Sequence, residues 1–233
     1  MLIPVNLKES TIGEVARFNT NAISIFRKYN IDFYCKGKYL LNEACSVFGC
    51  DETAVLDELE KLSPMIDDNQ NFNDKSIDSL IEYIIDNHHQ YVNKTVPEIA
   101  ALFQEVLGNP LVQNLEIVKA SQLFRLLGND MKQHMQKEEL ALFPAMKKLE
   151  TQGSKALPIQ SLISVVEMEH DTSGIIIKQL GQLCQQINTD GDETIALLLE
   201  KLKEFETDLI IHIHVENNVL HKKAIELEQI ILG

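Results

Sequence analysis

The sequence predicts an all-α protein: an up-down-up-down four-helix bundle preceded by a small helical N-terminal domain. Glycine and proline are scarce, 10 and 6 in 233 residues, and the stretches between them repeat apolar residues every three or four positions, with little period-two alternation. A polar stretch from Ser63 to Ser76 has loop composition and divides a short first part from four long amphipathic segments joined by short connections. The expected organisation is a helical domain over residues 1–66, a linker over 67–76 and the bundle over 77–233.

In the first part, helical patterns cover about 11–29, 39–48 and 51–62, with Asp51 and Thr53 placed to begin the last. The four bundle helices are expected near 77–94, 115–150, 158–188 and 192–230. Turn or breaker residues separate them: Pro97 and Gly108-Asn-Pro110 after the first, Gln152-Gly153 after the second, and Asp190-Gly191-Asp192 before the fourth.

Composition narrows the function classes. Apolar residues make up 45% of the chain, enough for a real core. A formal charge of −14, with no segregated basic patch, would repel a phosphate backbone and argues against a nucleic-acid partner. The N-terminus shows no basic region followed by an apolar stretch, and no run of about 18 apolar residues occurs, so a cytoplasmic protein with no membrane partner is expected. Cys35, Cys45, Cys50 and Cys184 are too few for a disulfide framework.

The chemistry lies on inward stripes. Along the fourth bundle helix Leu198, Leu202, Phe205, Leu209, His212, Glu216 and Val219 trace the seam of a helix facing a bundle interior. Along the second, Leu127, Met131, His134, Glu138, Ala141, Ala145 and Leu149 do the same. Each line holds a histidine and a glutamate four apart. The third helix places His170 in the line Ile163, Val166, Ser173, Ile177, Leu180 and Cys184, and the first offers His88 and His89.

A His and a Glu four apart on a surface helix form only a weak solvated pair, and a lone inward histidine is more often a hydrogen-bonded core residue. With 35 acidic residues in 233, seven histidines would meet about one such partner by chance; two are present, both on inward seams. Burying Glu138 and Glu216 is costly without a cation or a hydrogen-bonded partner, and a metal supplies the charge. Four imidazoles and two carboxylates exceed one tetrahedral zinc, while their mixed N and O donors suit two six-coordinate irons. With both glutamates bridging, each iron takes two histidines, two carboxylate oxygens and one bridging oxide or hydroxide, and one position stays open to a small molecule. Periodicity leaves open which of His88 and His89 is the donor. His212 and His214 lie about 200° apart around the helix, so only one of them is expected to face inward.

The set His89, His134-x-x-x-Glu138, His170 and His212-x-x-x-Glu216 sits within Lys137-Glu-Glu-Leu-Ala-Leu-Phe-Pro144, Met168-Glu-His-Asp171 and His214-Val-Glu-Asn-Asn-Val-Leu220. Together these motifs resemble the hemerythrin-like di-iron proteins that repair iron–sulfur clusters, the repair-of-iron-centres family of the YtfE/ScdA type. Ile12-Gly-Glu-Val, Phe26-Arg-Lys-Tyr-Asn-Ile-Asp-Phe33 and Leu41-Asn-Glu-Ala-Cys45 resemble that family's small N-terminal domain, so the likeness spans nearly the whole chain. The family's first ligand lies eight residues before a proline, which selects His89 through Pro97, and its His-x-x-x-Glu spacing selects His212. The resemblance thus implies two non-haem iron ions held by His89, His134, Glu138, His170, His212 and Glu216, with His88, His214 and His221 outside the ligand set.

The departures also carry meaning. Oxygen-carrying hemerythrins place a second histidine where this chain has Gly174 and an aspartate where it has Asn217, which frees a coordination site and argues against simple oxygen carriage. Ferritin-like iron storage needs two Glu-x-x-His motifs, and only Glu167-x-x-His170 fits. The family has two adjacent cysteines where this chain reads Asp32-Phe-Tyr-Cys-Lys-Gly37, so Tyr34 replaces one thiol and a vicinal dithiol is excluded. Cys35 is expected to act in redox or metal transfer, with Lys36 and Lys38 favouring its thiolate. Cys45, Cys50 and Cys184 read as small buried hydrophobes. Asp130 and Glu169 match acidic positions that line a path to the irons in the family.

The resemblance implies a stress protein that restores iron–sulfur or other iron centres damaged by nitric oxide or reactive oxygen. Its partners would be the damaged iron–sulfur proteins, NO or O₂, and an electron donor. It could donate iron, or reduce two NO to N₂O, which would make it an oxidoreductase. The alternative from another class is a non-catalytic module that senses or traffics O₂ or NO. An acidic surface and a small helical module suggest a partner contact or a homodimer.

Overall fold

The computed structural model describes residues 6–62, 72, 74–110, 112, 114–153 and 158–232. Helices α1 (Ile12–Phe18), α2 (Ala22–Lys28), α3 (Leu41–Phe48) and α4 (Glu52–Glu60) make an N-terminal module. A capping box starts α1, with the Thr11 hydroxyl accepting from the Glu14 amide and the Glu14 carboxylate accepting from the Thr11 amide. The helix expected over 11–29 is divided, because Asn19 adopts extended backbone and its Oδ1 accepts from the Asn21 amide. Asp51 caps α4 by accepting from Thr53, as the sequence predicts.

Four helical rods follow. The first is α5 (Ile77–Ile84), a π-helical turn over Ile85–His89, and α6 (Gln90–Gly108). The second is α7 (Leu115–Lys137), a π-helical turn over Glu138–Leu142, and α8 (Phe143–Gln152). The third is the unbroken α9 (Ile159–Cys184). The fourth is α10 (Glu193–Val215), a π-helical turn over Glu216–Leu220, and α11 (His221–Leu232). Helix α7 packs on α6 and α9, and α10 packs on the same two, which closes the ring of a four-helix bundle. Gly128 lets the first two rods approach closely, since a Cβ there would lie 2.8 Å from Val96 Cγ1. Among the described residues no strand forms beyond an isolated bridge between Thr11 and Leu40, and no helix is long and apolar enough to cross a membrane.

Two expectations need correction here. The first rod does not stop near residue 94, because α6 carries Pro97 in its interior and runs on to Gly108. An interior proline costs about 3 kcal/mol. Beyond it, Ile99, Phe103 and Val106 are buried, and burial of each such side chain contributes roughly 1.5–3 kcal/mol. The linker expected over 67–76 lies partly outside the described residues, and its Phe72 is a core residue packed on Tyr83 with ring centroids 4.9 Å apart.

The core falls into two apolar clusters. One joins Phe124, Leu127, Met131 and Phe205 to Phe26 and Phe33 of the N-terminal module, and the other gathers Leu80, Ile84, Phe143, Met146 and Ile163. Along every rod, His221 apart, the buried histidines and glutamates stand between a residue of one cluster and a residue of the other. The polar site is therefore a layer across the middle of the bundle, closed by hydrocarbon at both ends.

Candidate metal centre

The three π-helical turns among the described residues all fall on this layer, and they contain His88 and His89, Glu138, and Glu216. Such a turn inserts one residue into the helical period, and it recurs at functional sites. It turns both His88 and His89 inward, where a regular helix would diverge them by about 100°. It also breaks the inward stripe expected on the second rod: after Glu138 the buried residues are Leu142, Phe143, Met146 and Leu149, while Ala141 is exposed. The third rod has no π turn, and its predicted line from Ile163 to Leu180 is buried as a regular helix requires.

The structure brings the six predicted residues together. Glu138 and Glu216 are each 0% exposed. Two sets, His89–Glu138–His212–Glu216 and His134–Glu138–His170–Glu216, each present four donor atoms within 4.8 Å of one another. The glutamates belong to both sets. Glu138 directs Oε2 to His89 Nε2 and Oε1 to His134 Nε2, at 3.4 Å each, and Glu216 directs Oε1 to His212 Nε2 (3.0 Å) and Oε2 to His170 Nε2 (3.1 Å). Within the second set His134 Nε2 and His170 Nε2 stand 2.9 Å apart. His89 Nε2, both Glu138 oxygens and Glu216 Oε2, although buried, have no hydrogen-bond partner among the described residues. Buried polar atoms left unpaired cost roughly 1–3 kcal/mol each, and two cations held between shared carboxylates would satisfy them all. The donor set therefore fits metal, with oxygen and nitrogen ligands of the kind iron takes.

The charges balance without metal as well, through protons. Burial opposes ionisation of Glu138 and Glu216, but the facing histidines outweigh it, lowering Glu138 to about 2 and holding Glu216 well below the carboxylate range. Burial likewise opposes protonation of His89 and His134, and the same carboxylates overcome it, raising them to about 10 and about 9. For His212 burial prevails and keeps the ring neutral.

Three of the four imidazoles are oriented from behind. His89 Nδ1 lies 2.7 Å from Glu139 Oε1, His134 Nδ1 lies 2.9 Å from Glu169 Oε2, and His170 Nδ1 lies 2.8 Å from Asn217 Oδ1. Partners of this kind fix the ring and the tautomer of a metal-binding histidine. His212 has none among the described residues; its ring stacks 5.2 Å from His88, whose Nδ1 meets Asp208 at 2.9 Å.

Residues 80–224 match the profile of the hemerythrin HHE cation binding domain. The chain belongs to the hemerythrin family. Residues 8–63 match ScdA_N, a domain of unknown function. The iron–sulfur cluster repair protein YtfE of Musicola paradisiaca is 30% identical over 229 residues, covering 96% of this chain and 100% of its own. Its counterparts from Pectobacterium carotovorum subsp. carotovorum, at 29%, and Yersinia pestis, at 28%, cover 95% and 96% of this chain and 99% and 100% of their own.

The remaining predicted residues of this hemerythrin chain are placed unevenly. Glu169 reaches His134 and also pairs with Lys137. Asp130 is exposed on α7, and among the described residues no hydrogen bond or ion pair joins it to the six. His214 is not turned to solvent, although it points away from the layer. It is buried, with its ring 5.3 Å from Phe33 of the N-terminal module, because that module covers the face of α10 that a bare bundle would leave open. Periodicity missed Glu139, Asn217 and Asp208. The adjacency of Glu139 to Glu138 was the only sequence signal for the first of these.

The expectation of a Cys35 thiolate is corrected. Lys36 pairs with Asp171 at 2.7 Å and Lys38 with Glu167 at 2.8 Å, and the favourable charge of Lys36 on the sulfur is outweighed. Burial, reinforced by the charges of Asp32 and Asp171, pushes the thiol far above the ordinary thiol range. The sulfur donates to the His170 carbonyl at 3.3 Å, and a Cβ on Gly174 would meet it at 2.9 Å. Where oxygen carriers have a histidine, this chain thus packs the N-terminal loop. In the folded protein at neutral pH, iodoacetamide is expected to alkylate Cys35 at least ~10-fold more slowly than in denaturant, because the thiolate is the nucleophile. Peptide mass spectrometry reads the rates, and equal rates would show a free thiolate.

Proposed function

We propose that the chain is an iron–sulfur cluster repair protein whose buried layer holds two iron ions, shared between Glu138 and Glu216, with His89 and His212 on one and His134 and His170 on the other. The observation that carries this reading is the double membership of both glutamates, each offering one oxygen to each set. The relatives named for iron–sulfur cluster repair, matched along nearly their whole length, supply the biological direction.

Bound iron would supply one-electron redox chemistry and an affinity for NO or O₂. The chain's own residues bind and shield it. The two apolar clusters exclude water from the layer, Glu139, Glu169 and Asn217 hold three imidazoles in register, and the carboxylates set the charge. On this reading the protein serves iron–sulfur proteins damaged by nitric oxide or oxidative stress, either by giving up iron or by turning over two NO, two electrons and two protons to N₂O and water. The electrons come from a donor.

The test is anaerobic. The iron-loaded protein is mixed with a [4Fe–4S] dehydratase inactivated by NO or peroxide, with dithionite as reductant, and enzyme activity and headspace N₂O are followed. Recovery beyond that given by equal free ferrous iron supports repair, and N₂O adds turnover. Reversible NO binding with neither result would establish the sensor reading instead.

A further inference from the structure

The N-terminal module meets the metal layer through its segment from Phe33 to Cys35. The π-helical turn that sends Glu216 inward sends its neighbours Asn217 and Asn218 toward the segment from Phe33 to Gly37. Asn218 Nδ2 donates to the Phe33 carbonyl at 3.0 Å. Its Oδ1 lies so close to two glycines that a Cβ on Gly13 or Gly37 would fall 2.2 or 2.0 Å from it. Asn217 Nδ2 donates to the Tyr34 carbonyl at 3.0 Å, while Oδ1 lies 2.8 Å from His170 Nδ1.

This chain of contacts settles a proton. A backbone carbonyl can only accept, so Tyr34 decides which end of the Asn217 amide turns toward it. The end left for His170 is the oxygen, which also only accepts, and His170 must therefore carry its proton on Nδ1. Nε2, which faces Glu216 and His134, keeps the lone pair that a metal needs. His89 and His134 receive the same instruction from carboxylates on the bundle itself, Glu139 and Glu169. For His170 it originates in the N-terminal module, whose Cys35 thiol also donates to the His170 carbonyl.

We propose that Asn217 is the positioning residue through which the docked N-terminal module holds His170 in its metal-binding tautomer, so that the module completes the His134–His170 half of the centre. The inference rests on the metal-binding reading above.

The test uses the full chain as wild type, Asn217→Ala and Gly37→Ala. Gly37→Ala touches neither a ligand nor Asn217, but its Cβ would force the loop off Asn218. After anaerobic iron loading, release to excess ferrous chelator is followed. Each variant is expected to lose one of its two irons at least ~10-fold faster than wild type, while the other leaves at the wild-type rate. In metal-free protein labelled with ¹⁵N-histidine, wild-type His170 is expected to show its proton on Nδ1, and Asn217→Ala to lose that fixed assignment. A purely structural role would leave that signature in place. If Asn217→Ala fails to fold, Gly37→Ala decides the matter. Wild-type release of both irons from Gly37→Ala, or equal acceleration of both, overturns the inference alone. A wild-type chain that takes up no iron overturns the metal reading together with it.

Discussion

Glu216→Ala is expected to strip both metal ions from the centre, whereas His134→Ala weakens one. The difference follows from membership. Glu216 offers Oε1 on the His89–His212 side and Oε2 on the His134–His170 side, while His134 belongs to one set. Glu138→Ala should match Glu216→Ala, because its two oxygens are divided in the same way. Iron per chain after anaerobic loading is expected to fall from about two to below about half an ion in either glutamate variant. His134→Ala should retain about one ion, since His89, His212 and both carboxylates survive there. The helical circular dichroism of the metal-free variants should stay close to that of the metal-free wild type, because alanine removes a buried charge along with its partner's need for one. Iron analysis with the absorption spectrum reads the result. Two ions retained by Glu216→Ala would sink the shared-carboxylate centre.

Raising the pH should tighten metal binding steeply while it weakens the metal-free fold. In the metal-free protein the two buried carboxylates are balanced by protons on His89 and His134, whose pKa values stand at about 10 and about 9 against an ordinary 6.5. Metal must expel both protons, so between about pH 7 and 9 the combined constant for two ions should rise by roughly two orders of magnitude per pH unit. The fold responds in the opposite sense. A histidine whose pKa is raised by folding contributes stability that is complete below about 6.5 and is lost as the pH passes through its folded value. Metal-free protein should therefore lose thermal stability progressively from about pH 6.5, less steeply above about pH 9 and no further from these groups above about pH 10, and the loaded protein should not. Thermal melts with and without iron across this range give the comparison. Parallel curves would show that the histidines are not the charges that neutralise Glu138 and Glu216.

The His-x-x-x-Glu pairs could be found from sequence because each histidine lies on regular helix and its glutamate opens the π-helical turn, with the glutamate amide still bonded to the histidine carbonyl four residues back. The spacing 134 to 138 and 212 to 216 therefore reads correctly, and the departure from periodicity starts only after each glutamate. Past that point Ala141 was expected inside and lies outside, while Leu142 takes its place. The pair His88 and His89 marks the same limit, since periodicity alone left open which of them faces the interior and the turn over Ile85–His89 buries both.

The sequence by itself determined the helical class, the bundle, the family likeness and the six residues of the layer, since these depend on local period, composition and short motifs. Tertiary structure alone decided what stands behind the ligands. Glu169 reaches His134 from another rod, Asn217 receives its orientation from Tyr34 more than 180 residues away, and His214 is buried only because the N-terminal module lies over α10. The physical reason is range. A helical stripe is set by neighbours three or four residues apart, whereas a buried hydrogen bond is set by whichever element the packing brings within 3 Å.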